Sequence, residues 1–149
     1  MHIDDTDRAI LRELQRNART PFSEIARRID MSSATVHDRV KRLEEEGVIR
    51  GYHADVEPTM VGLSVEAVIG LRIEQGRAAD TLDRLEELEE VQEVLLTTGE
   101  WDAVVQLVTE DTDGLRALMF DRVPSIDGIV RSQTMVVLGH EYDANELPL

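Results

Sequence analysis

The chain has no cysteine, a single lysine (Lys41) and few aromatic residues: one Trp, two Tyr and two Phe in 149 residues. Without cysteine there is no disulfide, thiolate zinc site, iron–sulfur cluster or Cys nucleophile. The shortage of rings makes any core aliphatic, built from Leu, Val, Ile and Ala. No apolar run approaches the roughly 20 residues needed to span a bilayer. The opening MHIDDTDRAI is acidic where a secretory leader is basic and then apolar. A cytoplasmic protein with no membrane partner is expected. Also missing are a P-loop, a G-x-S-x-G, an H-E-x-x-H and a dinucleotide fingerprint. The four His (His2, His37, His53, His140) are scattered without metal-ligand spacing. His140-Glu141-Tyr142-Asp143 gathers metal-capable donors but reads as a solvated tail. No catalytic residue, cofactor or metal is therefore expected.

What is present is acid: 31 Asp and Glu against 16 basic residues, a net charge of −15. An apolar fraction of 42% excludes charge-driven disorder. Fifteen Arg to one Lys, together with the acidity, resembles the proteins of salt-accumulating extreme halophiles and points to a halophilic archaeon. The charge is unevenly spread. Residues 1–50 carry ten basic and ten acidic residues, whereas residues 51–149 carry six and 21. A neutral, Arg-rich segment is thus followed by one that holds the whole excess, which implies two modules with different partners.

Residues 1–50 spell three helices. Acids at Asp4, Asp5 and Asp7 open an apolar pattern at Ile10, Leu11, Leu14 and Ala18, complementing the helix dipole. Thr20-Pro21 supplies a cap and a first-turn proline for a second helix with its stripe at Phe22, Ile25, Ala26 and Ile29. Asp30-Met31-Ser32 is a very short turn, with Ser32 as N-cap of a third helix that buries Val36, Val40 and Leu43 and stops at Gly47. Two short helices, a tight turn and a third helix describe a helix-turn-helix. The residues away from the third stripe are Ser33, Ala34, Thr35, His37, Asp38, Arg39, Lys41 and Arg42. Hydroxyls and an imidazole suit base edges, and Arg39, Lys41 and Arg42 offer cations for phosphates of double-stranded DNA. Glu44, Glu45 and Glu46 read as a solvated end, with Lys41–Glu45 and Arg42–Glu46 pairs one turn apart.

The run TPFSEIARRIDMSSATVHDRVKRLEEEGVIRGYHA, residues 20–54, resembles the winged helix-turn-helix of Lrp/AsnC regulators. The family's spaced pattern is supplied by Asp4, Asp7, Ile10, Leu11, Leu14, Ala18, Arg19, Ile25, Ala26, Ser32, Val36, Arg39, Leu43, Glu44, Gly47, Val48, Ile49, Gly51, Tyr52 and Ala54. There are three departures. Asp30 stands where the family often has Gly, and Asp tolerates left-handed geometry. Ser33-Ala34 replaces a frequent Pro-Ser. Asp38 puts a carboxylate where a basic residue is common; it can accept from a cytosine amine, pair with Lys41 or Arg42, or repel phosphate. From Ile49 to Asp55 the alternation reads as strand-like, leading into a linker at 51–62.

Residues 63–149 read as βαββαβ, the ferredoxin-like pattern. Leu63, Val65, Ala67, Ile69, Leu71 and Ile73 alternate with polar residues in a half-buried strand. Ala78, Leu82, Leu85 and Leu88 form a helical stripe. Val91–Thr98 and Ala103–Thr109 flank a hairpin at Gly99-Glu100-Trp101-Asp102, a second helix carries Leu115, Leu118 and Met119, and Ile129–Leu138 is the last strand. The fold class is thus α+β. Apolar residues on both faces of several strands predict dimerisation through the open side of the sheet. A two-fold dimer would set two recognition helices about 34–36 Å apart, one turn of DNA.

This half resembles the amino-acid-binding domain that Lrp/AsnC proteins carry after their helix-turn-helix. The family's Gly-x-aromatic-Asp signature stands as Gly99, Glu100, Trp101 and Asp102, preceded by Thr98, and the last-strand signature as Ser132 and Thr134. The resemblance implies that the loop lines effector pockets between dimers, and that homodimers assemble further, often to octamers. Asp102 suits the effector's ammonium, and backbone N–H groups at the Gly99 turn suit its carboxylate. The plainer alternative is a tight turn with Trp101 packed and Asp102 capping the hairpin. Two other functions remain open. Siroheme decarboxylases share the two-domain layout, but six Arg amid 21 acids make a poor cradle for a polycarboxylate tetrapyrrole. An architectural DNA binder would respond to no effector. The expected function is a sequence-specific transcriptional regulator, not an enzyme, whose DNA binding or assembly responds to an amino acid or related metabolite.

Overall fold

A computed structural model describes residues 2–142 and 146–149. They fall into two compact units, Met1–Asp55 with Glu141–Leu149, and Val56–His140. The last residues of the chain therefore group with the helical unit, although the sequence pattern carries the second module to 149. Asp143 lies outside the described residues.

In the first unit, α1 (Asp5–Arg16) begins at Asp4 in a capping box: the Asp4 side chain accepts from the Asp7 N–H, and Asp7 accepts in return from Asp4. Helix α2 (Phe22–Arg28) starts one residue later than the Thr20 cap implies. Pro21 is itself the N-cap, its carbonyl accepting from Glu24 and Ile25 N–H, and no side chain caps the helix. Thr20 is buried instead. The turn uses Asp30 at φ 57°, as its tolerance of left-handed backbone allows. Helix α3 (Ser33–Glu45) is capped by Ser32, which accepts from the Thr35 N–H. It ends in a Schellman motif at Gly47 (φ 71°), with Gly47 N–H to the Glu44 carbonyl and Val48 N–H to that of Leu43. Ile10, Leu14, Ile25, Ala26, Val36 and Val40 form the core, with Phe22, Ile29 and Ile49 against it.

The strand-like alternation from Ile49 to Asp55 does not become a strand. Ile49 N–H joins Val48 N–H on the Leu43 carbonyl, and no ladder partner follows among the described residues. The linker runs as irregular chain into a 3-10 turn at Pro58–Val61.

The second unit is β1 (Val65–Ile73), α4 (Ala78–Glu86), β2 (Val91–Leu96), β3 (Ala103–Thr109), α5 (Thr112–Ala117) and β4 (Ile129–Val136). Helix α5 passes directly into a π turn at Leu118–Arg122 and a 3-10 turn at Val123–Ser125, so the second helical segment carries Leu115, Leu118 and Met119 with its winding changed along the way. The sheet order is β2-β3-β1-β4, all neighbours antiparallel. This is the expected α+β, ferredoxin-like arrangement. Ala67, Ile69 and Leu71 pair with Leu107, Val105 and Ala103, and these six share the core with Leu85 of α4 and Leu115 of α5. Alternation puts Val68, Gly70, Arg72 and Val104 on the opposite, helix-free face.

Candidate DNA-reading helix and effector loop

Helix α3 presents Ser33, Ala34, His37, Asp38 and Lys41 outward, while Val36, Val40 and Leu43 are buried. Ser32 and Thr35 partly satisfy each other, their hydroxyls 2.7 Å apart. His37 is steadied from behind by an edge contact with Phe22, the ring centroids 6.0 Å apart. Asp38 is 84% exposed and lies 3.4 Å from the His37 Nδ1. Lys41 pairs with Glu45 at 3.7 Å. Tyr52 donates to Glu44 at 2.8 Å, and burial followed by that carboxylate pushes its phenol up to about 12.

The two arginines of α3 turn toward α1. Arg39 Nη1 donates to Asp4 at 2.7 Å and Asp7 at 2.8 Å, and Arg42 Nη2 donates to both oxygens of Asp7 at 2.8 and 2.7 Å. The Asp7 side chain is fully buried. The Asp4 carboxyl is lowered to about 2, chiefly by the Asp7 N–H it accepts and then by Arg39; the Arg39 guanidinium is raised by bonds to Asp4 and Asp7. Of three cations expected for phosphates, two are thus committed within the unit. The Arg42–Glu46 pair is replaced by Arg42–Asp7, and Asp38 has neither Lys41 nor Arg42 as partner. Charge periodicity alone hid this, because Asp7 reads as a helix-dipole acid until α1 and α3 are docked.

The β2–β3 loop holds Thr98 to Asp102, with Gly99 at φ 106°. The backbone N–H groups of Thr98, Gly99, Glu100 and Trp101 meet no acceptor among the described residues. Asp102 is anchored: its Oδ2 accepts from Ile73 N–H at 2.8 Å, and its Oδ1 stands 3.7 Å from Arg72. Arg72 also donates to the Gly99 and Glu100 carbonyls at 3.2 and 2.9 Å. The Trp101 indole lies flat over Gly70, where an added Cβ would fall 2.6 Å from the ring. Arg131 sits 5.1 Å from the ring centroid on a cation–π contact and 3.5 Å from Glu100.

Ser132 and Thr134 are not brought to this loop within one chain. They pair with Leu71 and Ile69, whose side chains are in the core, so they share the helix-covered face. The Thr134 hydroxyl lies 3.4 Å from the Met119 sulfur on that side. Trp101, over Gly70, occupies the other face. The sequence signatures name both groups, but strand register assigns them to opposite sides. In the sequence Gly70 and Arg72 read only as residues between the apolar positions of a half-buried strand, and Arg131 carries no signal; a glycine inside an otherwise regular strand is the one hint of a close approach.

Residues 3–50 match the model for winged helix-turn-helix DNA-binding, and residues 66–147 match that for the Lrp/AsnC ligand binding domain. The chain belongs to the Lrp/AsnC family. The HTH-type transcriptional regulator Ptr1 of Methanocaldococcus jannaschii is 37% identical over 147 residues, 99% of each chain. The solved structure of E. coli AsnC superimposes with a TM-score of 0.90 at 32% identity, covering 97% of each chain. A transcriptional regulator of Neisseria meningitidis in complex with L-Met gives a TM-score of 0.93 at 29% identity, covering 99% of this chain and 97% of that one. As an Lrp/AsnC protein, the chain is a DNA-binding transcriptional regulator, and α3 stands where a helix-turn-helix carries its recognition helix. No helix among the described residues is long and apolar enough to cross a membrane.

Proposed function

We propose that this cytoplasmic Lrp/AsnC regulator, which is not an enzyme, responds to a free amino acid held at the Thr98–Asp102 loop. The observation that carries the reading is the run of four N–H groups, Thr98 to Trp101, without an acceptor among the described residues beside the Asp102 carboxylate. Unpaired backbone amides suit a carboxylate, and an anchored acid suits an ammonium. The Neisseria meningitidis relative solved with L-Met supports the class of ligand.

Ser132 and Thr134 lie on the other face of the sheet, so their hydroxyls join the pocket only if a second copy presents them. The helix-free face supports a separate association, that of a homodimer, which does not itself bring those hydroxyls to the loop: Leu95 and Met135 are 40% and 46% exposed there, beside Val68 and Val104. A homodimer closed on this face, assembling to octamers, sets the recognition helices for two turns of one duplex. Effector at the loop alters association of dimers and so the number of α3 pairs that engage DNA together. Base reading falls to Ser33, Ala34, Thr35, His37 and Asp38, with Ser32 at the helix start and Lys41 toward phosphate.

A thermal-shift panel of the twenty amino acids in molar KCl, where an acidic chain of halophile type is kept folded, tests the reading. One or a few amino acids raise the melting temperature and change the sedimentation profile. Asp102→Asn retains an acceptor for Ile73 N–H but removes the charge, and it abolishes that shift while sparing DNA binding. No shift with any amino acid overturns the reading and favours an effector-independent architectural binder. A Soret band in the purified protein favours the tetrapyrrole enzyme.

A further inference from the structure

We propose that Asp7 is a positioning residue of the recognition helix: its buried carboxylate pins Arg39 and Arg42 to α1 and neutralises them, so the two arginines fix where α3 sits and add little attraction for phosphate.

The cluster holds two carboxylates and two guanidiniums. Asp7 receives three bonds from the arginines at 2.7–2.8 Å, and Arg39 spends the same Nη1 on Asp4 at 2.7 Å. The carboxylate also accepts the Asp4 N–H at 3.2 Å, which locks the first turn of α1 to the cluster. Asp7 is fully buried while the Arg39 and Arg42 side chains are 25% and 45% exposed. The acid is therefore the fixed element, and the cations are the groups that would swing to solvent or phosphate without it. Charge-assisted bonds of this number and shortness have direction, which aliphatic contacts between α1 and α3 lack. The remaining cation of the helix, Lys41, faces Glu45. A recognition helix with both arginines tied to α1 and a single lysine left at its surface has weak sequence-independent attraction for DNA, and its discrimination rests on how accurately His37, Asp38 and the Ser33–Ala34 pair are held against base edges.

The test measures binding of the full-length chain to two duplexes as a function of salt, within the range where circular dichroism shows it folded. One duplex has random sequence; the other is selected by the wild-type protein from a random pool. Each phosphate contact contributes about 0.9 to the slope of log affinity against log salt. Arg42→Gln is expected to leave the slope on random DNA unchanged. Asp7→Asn is expected to steepen it by about 1–2, as freed arginines reach phosphates, and to reduce the preference for the selected duplex about tenfold. A slope that falls by about 1 in Arg42→Gln marks a direct phosphate contact and overturns the proposal. So does an Asp7→Asn protein that loses affinity for both duplexes equally with its slope unchanged, the mark of a merely structural residue. If Asp7→Asn does not fold, Asp4→Asn decides together with Arg42→Gln. Asn still caps α1, and the loss of one Arg39 partner steepens the slope by less than Asp7→Asn would. An unchanged slope there, with a reduced one in Arg42→Gln, rejects the idea.

Discussion

The unit spanning Val56–His140 is held by an aliphatic core, and its buried polar side chains, Thr81 and Thr109, are neutral hydroxyls placed against backbone carbonyls at 2.8–2.9 Å. The helical unit buries fewer aliphatic residues and places a charged one, Asp7, between α1 and α3. The difference follows from what each surface must do. A sheet covered by two helices needs area removed from water, which is non-directional and tolerant of small shifts. A recognition helix must be held in one orientation, and directional bonds to a buried acid do that where a short helix pair offers little area. Cations of residues 1–50 thus serve internal geometry, which fits a segment with ten acids for its ten bases.

The sharpest way to break this contrast is a cavity in the sheet. Leu71 is fully buried in the central β1 strand. Leu71→Ala is expected to cost about 2–5 kcal/mol, by lost transfer energy and the void left behind. Trp101 is the sole tryptophan and belongs to this unit, so its fluorescence in a urea titration follows the loss directly. A change under about 1 kcal/mol would mean that this core collapses around the gap, well below the usual range for such truncations. Next in size is Gly70→Ala. The new Cβ meets the Trp101 indole at 2.6 Å, so the ring must move. Overpacking of this kind costs about 1–3 kcal/mol. A red-shifted Trp101 emission is expected with it, together with a weakened amino-acid response. An unaltered spectrum would show that the ring does not rest on the strand.

In the helical unit the matching test is milder. Ser32→Ala removes the oxygen that accepts from Thr35 N–H at 3.0 Å and frees the recognition helix at its first turn. The expected loss is about 1 kcal/mol. It is read as a lower thermal midpoint in the far-ultraviolet signal, with Trp101 emission unchanged. If Trp101 moves as well, the two units do not melt independently.

Much of this contrast could be read before any coordinates. The stripes at Ile10/Leu14, Phe22/Ile25/Ala26/Ile29 and Val36/Val40/Leu43 carry three helices because helical periodicity is local. Ser32 and Gly47 mark the ends of α3 because capping and left-handed backbone are local too. The alternation from Val65 to Ile73 likewise located β1 and its buried face. What escaped were pairings between distant segments. Asp7 with Arg39 and Arg42 spans some thirty residues of chain, and a salt bridge leaves no periodic trace. The split of Ser132 and Thr134 from Trp101 depends on the register of β4 on β1, which the two signatures alone do not contain. The strand-like reading of Ile49 to Asp55 failed for the same reason, since alternation promises a strand only when a partner supplies the ladder.

The smallest effect, and the one that isolates charge in the helical unit, is that of pH on Asp4. Its carboxyl titrates at about 2 in the folded chain against an ordinary 3.8, held down first by the Asp7 N–H and next by Arg39. A folded-state value below the unfolded one stabilises the ionised form. The contribution is therefore complete above the ordinary value and fades as pH falls from about 4 toward 2. Asp4→Asn keeps an oxygen for the Asp7 N–H but carries no charge for Arg39. Wild type is expected to be slightly more stable than this variant at neutral pH, with the difference vanishing across that acid window. Because the Asp4 side chain is half-exposed, molar salt should shrink the difference further. A gap that persists unchanged at pH 2 would show that Asp4 acts through cap geometry alone. Arg39 would then be held by Asp7 without electrostatic help from the helix start.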